Sequence, residues 1–261
     1  MLFKRVVTAV LGAALVLSMT WLGGIWLASL FAAIAAISTL EIGAMMRVRL
    51  NSMESIVAVT FTVLMVLIPK FVEFWYVLFY LLLFLTIFRR KQFSFPAAGV
   101  LFAGALYSSY AFRTMLDIRS LTNGLAFVLL VFIAIWSTDT GAFFIGRALG
   151  GRKLLPDVSP KKTISGALGG LIAAMGFTLL GGALLIDQGA QHWLAFIFLG
   201  VVISVAGQAG DLIESALKRH YEVKDSGWIL PGHGGLLDRF DSLLLAAPIA
   251  YHVIVWLFPH V

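Results

Sequence analysis

Long apolar runs separated by short polar breaks form the main pattern of the chain. A helix needs roughly 20 mostly apolar residues to cross the hydrocarbon core of a bilayer, and nine runs approach that length. We therefore predict an all-α polytopic membrane protein with about nine transmembrane helices. The predicted segments are residues 6–21, 24–46, 54–69, 71–88, 94–112, 122–145, 164–186, 191–209 and 242–258.

The composition supports this class, because 61% of the 261 residues are hydrophobic and only 12% are charged. The absence of cysteine excludes disulfides and thiolate metal sites. The N-terminal run resembles a signal peptide, but it continues without a small-x-small cleavage site, so we expect an uncleaved first helix. We predict one membrane domain over residues 1–261, with 1–120 as scaffold and dimer-forming helices and 121–261 as the catalytic part.

The basic residues predict the orientation. With nine segments, 16 of the 19 Lys and Arg residues fall on one side, and only Lys70, Arg113 and Arg119 fall on the other. The positive-inside rule then places the N-terminus in the cytoplasm and the C-terminus on the opposite side. The net charge of +6 indicates loops that face anionic lipid and an anionic substrate, not nucleic acid. The two longest inside segments, 146–163 and 210–241, are where we expect chemistry.

The second of these segments begins with polar side chains at helical spacing. Asp211, Ser215 and Lys218 fall at i, i+4 and i+7, on one helix face with Arg219 beside it. A carboxylate there can bind a hard cation, while the hydroxyl and the cations bind phosphate oxygens. A helix end that snorkels to the membrane surface with a salt bridge explains the same residues equally well.

A glycine-rich stretch and a pair of acids follow. Residues 231–235 include His233 and break the helix, which frees backbone N–H groups for phosphate, although most such stretches are only turns. Asp238 and Asp241 open the last helix at i and i+3, where the helix dipole alone would favour acids. Because helix ends on one membrane face can meet, we predict that Asp211 and Asp238 share a metal ion.

The first inside segment lies next to a carboxylate within the sixth apolar run. An unpaired Asp139 there would cost about 2.5–3.5 kcal/mol on insertion scales, so it should face a polar cavity or a cation. Lys161 and Lys162 precede a helix start and suit a polyphosphate. Positive-inside topology explains these lysines but not Asp139. Glu41, near the end of the second run, is expected at the membrane interface.

Taken together, these residues resemble the phosphatidate cytidylyltransferase family (CDP-diacylglycerol synthases). Its signature is matched without a gap by Ser215-x-Leu-Lys218-Arg219-x4-Lys224-Asp225-x-Gly227-x2-Leu230-Pro231, followed by His233-Gly234-Gly235-x2-Asp238-Arg239-x-Asp241. Further matches are Ser137-x-Asp139-Thr-Gly-Ala-x3-Gly146-Arg147 and Ser159-Pro160-Lys161-Lys162-Thr163-x2-Gly166. Many members carry an acid before that last glycine, whereas this chain has Ser165.

The resemblance implies a bacterial inner-membrane enzyme, with its active site facing the cytoplasm, that converts CTP and phosphatidate to CDP-diacylglycerol and pyrophosphate. It implies magnesium, potassium as a second cation, contact with membrane lipids, and a homodimer. It assigns the metal to Asp211 and Asp238, with Asp139 beside them. The implied catalytic residues are Asp211, Asp238, Lys218 and Asp241, and the implied substrate-binding residues are Ser215, Arg219, Lys161, Lys162, Lys224, Arg147, Arg239, His233, Gly234 and Gly235.

Other functions are compatible with parts of this pattern. A CTP-dependent lipid kinase, or a cytidylyltransferase for another lipid, would need similar phosphate and metal ligands. A cation-coupled transporter could use Asp139 and Asp211 as ion sites, but it predicts discontinuous helices paired between the two halves of the chain, and no such pairing is visible. A purely structural scaffold leaves the carboxylates unexplained.

Overall fold

The computed structural model describes residues 2–187, 189–227 and 234–259. Over these residues the chain forms nine α-helices, one antiparallel β-hairpin and two short 3₁₀ turns, Pro69–Phe74 and Gly189–His192. The elements are α1 (Leu2–Leu22), α2 (Gly24–Met45), α3 (Met53–Leu67), α4 (Trp75–Phe88), α5 (Phe95–Arg119), α6 (Gly124–Leu149), β1 (Lys153–Leu155), β2 (Ser159–Thr163), α7 (Ile164–Leu185), α8 (Trp193–His220) and α9 (Leu237–Leu257).

The helices confirm the all-α membrane class. Seven described stretches are long and apolar enough to cross a bilayer, and Val7–Leu22 and α3 are apolar but shorter. The 15 residues of α3 rise about 22 Å, which is less than the roughly 30 Å of a typical hydrocarbon core. Every predicted segment falls on one of these apolar helices. The chain is therefore an integral membrane protein, while its orientation stays a prediction.

The helix boundaries differ from the hydropathy pattern where polar residues continue a helix. The predicted segment 191–209 ends well before the C-terminal end of α8, which continues to His220. A Glu–Lys pair at i and i+4, Glu214 and Lys218, supports this polar end. The hairpin of β1 and β2 within 146–163 was not predicted, because a short strand containing proline and two lysines has no alternating apolar pattern.

The chain divides into two compact units. The first unit comprises Met1–Leu116 and His220–Phe240, and the second comprises Asp117–Arg219 and Asp241–Val261. The predicted division of roles at residue 120 stays a prediction.

The first unit has an apolar core built from α3, α4 and α5 and from the loops that precede α3 and α5. Val48, Leu82, Phe93 and Leu101 are all less than 10% exposed and belong to one buried cluster. An ion pair lies beside this core, with 3.3 Å between Arg89 Nε and Glu54 Oε2. Glu54 is only 2% exposed, so this unit contains a buried glutamate that is paired with Arg89.

The second unit depends on close approach of helix backbones. A Cβ added to Gly141 of α6 would lie 2.7 Å from the carbonyl oxygen of Gly169 in α7, and one added to Gly170 would lie 2.7 Å from that of Thr138. A Cβ on Gly200 of α8 would lie 2.8 Å from the carbonyl oxygen of Ala174. Small residues allow helices to pack this tightly in a bilayer. The packing joins α6, α7 and α8, which supply most of the polar residues described below.

We expect Gly170→Ala to destabilise the second unit, because the new methyl group would overlap the α6 backbone at Thr138. Overpacking of this kind typically costs about 1–3 kcal/mol. Gly176→Ala on the same helix is the matched control, since a Cβ there meets nothing within 4 Å. Thermal unfolding in detergent, followed by circular dichroism, should give a lower midpoint for Gly170→Ala than for Gly176→Ala. Equal midpoints would contradict this account of the packing.

Candidate active site

The β-hairpin holds the lysine pair immediately before α7. The two strands are antiparallel, and Lys153 pairs with Thr163. Thr163 caps α7, because its hydroxyl accepts a hydrogen bond of 3.1 Å from the backbone N–H of Gly166. Ser165, at the position where the family pattern often has an acid, donates its hydroxyl to the carbonyl oxygen of Gly150. Hydrogen bonds to α7 and to Gly150 therefore fix the junction between β2 and α7.

The structure separates the two lysines that the sequence analysis treated as one pair. Lys162 forms an ion pair with Asp211 of α8, with 2.5 Å between Nζ and Oδ2. Lys161 is exposed, as expected for the next residue of a strand, because successive side chains point to opposite faces. Ser215 donates its hydroxyl to Asp211 Oδ1 at 3.3 Å. Both oxygens of Asp211 are thus engaged.

Lys162 has hydrogen-bonding capacity left over. An ammonium carries three donors, and the ion pair with Asp211 uses one of them. Its Nζ is buried and has no hydrogen-bond acceptor among the described residues beyond that ion pair. Buried donors without acceptors are costly, so this position is suited to an anionic group.

Two more carboxylates lie within electrostatic range of this ion pair. Asp139 of α6 and Asp241 of α9 each interact with both Asp211 and Lys162. The backbones of α8 and α9 approach closely here, because a Cβ on Gly210 would lie 2.6 Å from the carbonyl oxygen of Asp241. We call Asp139, Lys162, Asp211 and Asp241 the acidic cluster. Three carboxylates around one ammonium leave an excess of negative charge.

The acidic cluster fits a divalent cation only together with a ligand. Among the described residues, no group of three or more His, Asp or Glu side chains is spaced to hold a metal ion. Magnesium, however, usually takes one or two carboxylates and completes its shell with water and substrate phosphates. The carboxylates of the acidic cluster are compatible with a magnesium ion that also binds water and phosphate, and magnesium at this position stays a prediction.

Further along α8, Lys218 has a partner that sequence analysis missed. Its Nζ lies 2.7 Å from Oε2 of Glu214, and the Glu214 side chain is only 4% exposed. The i, i+4 spacing of Glu214 and Lys218 was the available signal. Arg219 and Arg147 are exposed, and Arg219 Nε lies 3.5 Å from the carbonyl oxygen of Val158 in the hairpin.

The other part of the signature forms a cluster of its own within the first unit. Asp238 Oδ2 accepts three hydrogen bonds: 2.9 Å from Ser226 N, 2.8 Å from Ser226 Oγ and 2.8 Å from Gly235 N. Gly234 has a φ of 81°, which favours glycine, and a Cβ there would lie 2.9 Å from Asp238 Oδ2. Lys224 and Arg239 are exposed. Asp238 thus organises the chain before α9, and the N–H of Gly235 is already used.

Glu41 joins this second cluster, a role that sequence analysis did not assign. The residue lies on α2 and is 4% exposed. Its Oε1 accepts the N–H of Leu236 at 2.9 Å, and its Oε2 accepts the N–H of Leu237 at 2.7 Å. Oε2 also lies 3.3 Å from Ser226 Oγ. A single carboxylate within an apolar run indicates a functional residue. The sequence could not identify its partners, because they lie nearly 200 residues away along the chain.

The structure leaves several predicted roles as predictions. His233 lies outside the described residues, as do Leu230 and Pro231 of the signature. The sharing of one metal by Asp211 and Asp238 remains a prediction. The substrate-binding roles of the exposed cations also remain predictions.

The fold is that of an integral membrane protein, and its second unit contains the acidic cluster. The chain belongs to the cytidylyltransferase family, whose model matches residues 3–257. A protein named phosphatidate cytidylyltransferase from Bacillus subtilis (strain 168) is 36% identical, covering 96% of this chain and 97% of its own. One of the same name from Staphylococcus saprophyticus is 34% identical, covering 94% and 96%. The family resemblance read from the signature is confirmed.

Proposed function

We propose that this chain transfers the cytidylyl group of CTP to phosphatidate, forming CDP-diacylglycerol and pyrophosphate in phospholipid biosynthesis. The observation that carries the proposal is the match to proteins named phosphatidate cytidylyltransferase over nearly the whole length of both chains. The acidic cluster supports the same function, because its unused Lys162 donors suit a phosphate.

The reaction requires no nucleophile from the protein. A phosphate oxygen of phosphatidate attacks the α-phosphorus of CTP, and the bond from that phosphorus to the oxygen bridging to the β-phosphate breaks. Pyrophosphate leaves with the bonding electron pair. Catalysis then consists mainly of positioning the two phosphates and stabilising negative charge. In this proposal lysines and backbone groups bind the phosphates, and the carboxylates hold the magnesium ion that the reaction requires.

In this proposal Lys162 donates its free N–H groups to substrate phosphate while Asp211 holds its ammonium in place. Lys161, Arg147 and Arg219 lie exposed on neighbouring elements of the same unit and attract the triphosphate and the lipid phosphate. Lys218, held by Glu214, is assigned to charge stabilisation. Ser215 keeps Asp211 oriented through its hydroxyl.

The acidic cluster is the proposed position for magnesium, with Asp211, Asp139 and Asp241 as candidate carboxylates and Asp238 as the further ligand predicted from the signature. Bound magnesium would neutralise phosphate charge and orient the phosphates. Potassium as a second cation, and a homodimer, rest on the family resemblance. The remaining substrate-binding assignments, to Lys224, Arg239, His233, Gly234 and Gly235, have the same basis.

We place the active site on the cytoplasmic side of a bacterial inner membrane. The clustering of Lys and Arg on one side supports this orientation, and CTP is a cytoplasmic metabolite. The acyl chains of phosphatidate would remain in the bilayer while its phosphate enters the site.

The test is an assay of the purified protein with CTP, phosphatidate and magnesium, run in parallel with α-³²P and γ-³²P labels. We expect the α label, and not the γ label, to enter a lipid that carries CMP, with EDTA abolishing the product. Entry of the γ label into lipid would indicate a CTP-dependent kinase. A product only with another lipid phosphate would identify a different acceptor, and no labelled lipid with either label would leave the transporter as the better explanation.

A further inference from the structure

We propose that Glu41 is a positioning residue for the reaction, holding the segment that presents Asp238. The segment comprises Ser226–Gly227 and Gly234–Asp238, and we call it the signature loop. The inference rests on the proposed function, because Asp238 matters for catalysis only if the signature forms part of the active site.

The first argument is the hydrogen bonding of the α9 N-terminus. The first N–H groups of a helix have no partners within the helix and attract anions. Here the N–H groups of Leu236 and Leu237 are taken by the two oxygens of Glu41. The helix dipole and these charge-assisted bonds offset the cost of burying the carboxylate. Substrate phosphate therefore does not bind to these two N–H groups, which already have an anion from within the protein.

The second argument is the shape of the signature loop around this carboxylate. A Cβ on Gly227 would overlap Glu41 Oε1, and a Cβ on Gly235 would overlap Ser226 Oγ and lie 2.7 Å from Glu41 Oε2. Both glycines belong to the signature, yet the crowding at Gly227, and part of the crowding at Gly235, comes from Glu41 of α2, close to the other end of the chain. The absence of a side chain at Gly227 and Gly235 thus leaves space for Glu41. The N–H of Gly235 donates a hydrogen bond to Asp238.

The third argument is a direct path from Glu41 to Asp238. The hydroxyl of Ser226 lies 2.8 Å from Asp238 Oδ2 and 3.3 Å from Glu41 Oε2. A hydroxyl has one proton to donate, so the two carboxylates share this donor. A change at Glu41 alters the hydrogen bonding of Asp238 without touching it, which is how Glu41 acts on the site.

The test compares Glu41→Gln with Glu54→Gln in the purified full-length protein. Glu54 is a buried glutamate of the same unit, but its partner is Arg89 and not the signature loop. Glutamine at 41 has one acceptor oxygen, whereas the N–H groups of Leu236 and Leu237 each require an acceptor. We therefore expect kcat/KM to fall about 10- to 100-fold. The magnesium concentration for half-maximal activity should rise. Glu54→Gln should lower the thermal midpoint while leaving kcat/KM per folded protein and the magnesium dependence near wild type.

Hydrogen–deuterium exchange gives a readout that is independent of activity. Peptides containing Ser226 or Leu236–Leu237 should exchange faster in Glu41→Gln than in Glu54→Gln. Ser226→Ala combined with Glu41→Gln should cost less in kcat/KM than the product of the two single effects, because both act through one path. If Glu41→Gln does not fold, Glu41→Asp takes its place, and a smaller change in the same direction supports the proposal.

The proposal is overturned if the variant at Glu41 matches Glu54→Gln in kcat/KM, magnesium dependence and exchange of the signature loop. Inactivity of the wild-type protein with CTP and phosphatidate would instead contradict the proposed function. The two failures are therefore distinguishable.

Discussion

Asp211→Asn is expected to lower kcat for CDP-diacylglycerol formation by about 100-fold or more, the range seen when a charge-stabilising group is removed from an active site. Asp211 is central to the acidic cluster, since it pairs with Lys162, accepts from Ser215 and interacts with Asp139 and Asp241. Asparagine cannot balance the ammonium, and it is a weaker ligand for a hard cation. The labelled-CTP assay over a magnesium titration measures the effect.

Further variants show why Asp211→Asn loses activity. Asp157→Asn makes the same substitution at an exposed position of the hairpin turn, and its activity should equal that of the wild type. Combining Asp211→Asn with Lys162→Met removes both members of the ion pair. The reference for this double variant is Lys162→Met alone, because Lys162 itself is assigned to substrate phosphate. If Asp211 served only to neutralise Lys162, the double variant would be as active as Lys162→Met, whereas we expect it to be less active. Near-normal product formation by Asp211→Asn alone would remove Asp211 from the catalytic residues.

Asp238→Asn is expected to have an effect of similar size, about 100-fold or more on kcat. The asparagine carbonyl can still accept from the backbone N–H groups of Ser226 and Gly235, so the signature loop should persist. What disappears is the negative charge, and with it the predicted contribution to magnesium binding. The activity assay is therefore run together with hydrogen–deuterium exchange of the signature loop, and Glu222→Gln, an exposed acid before that loop, serves as the control.

The combination of readouts decides between two roles of Asp238. Lost activity with unchanged exchange supports a role of its charge in catalysis. Lost activity with much faster exchange would mean that Asp238 acts by holding the loop, and the metal assignment would fall. Retained activity would contradict both roles.

The hydropathy pattern was sufficient for the helices because the requirement behind it is local. Each span must satisfy its own backbone hydrogen bonds and expose apolar side chains over a known thickness. Helix ends were less predictable, as in α8, where a polar face continues beyond the apolar run to His220. The same sequence spacing placed Asp211 and Ser215 on one face, and the structure shows them hydrogen bonded.

The neighbours of these residues were decided by the tertiary structure. Lys161 and Lys162 are adjacent in sequence and identical in charge, yet the strand conformation sends only Lys162 to Asp211. Nothing near Glu41 in the sequence indicates Leu236 or Leu237 as its partners. Such contacts depend on how helices far apart in the chain pack, and packing is governed by backbone approach at glycines such as Gly141 and Gly170.

By itself, the sequence therefore determined the membrane class, the helices and the family, since these depend on local apolar length and on an ordered signature of residues. Only the tertiary structure decided which lysine meets Asp211 and which carboxylate holds the start of α9. The physical reason is that a buried charge must find its partner in space, and that partner can lie anywhere in the chain.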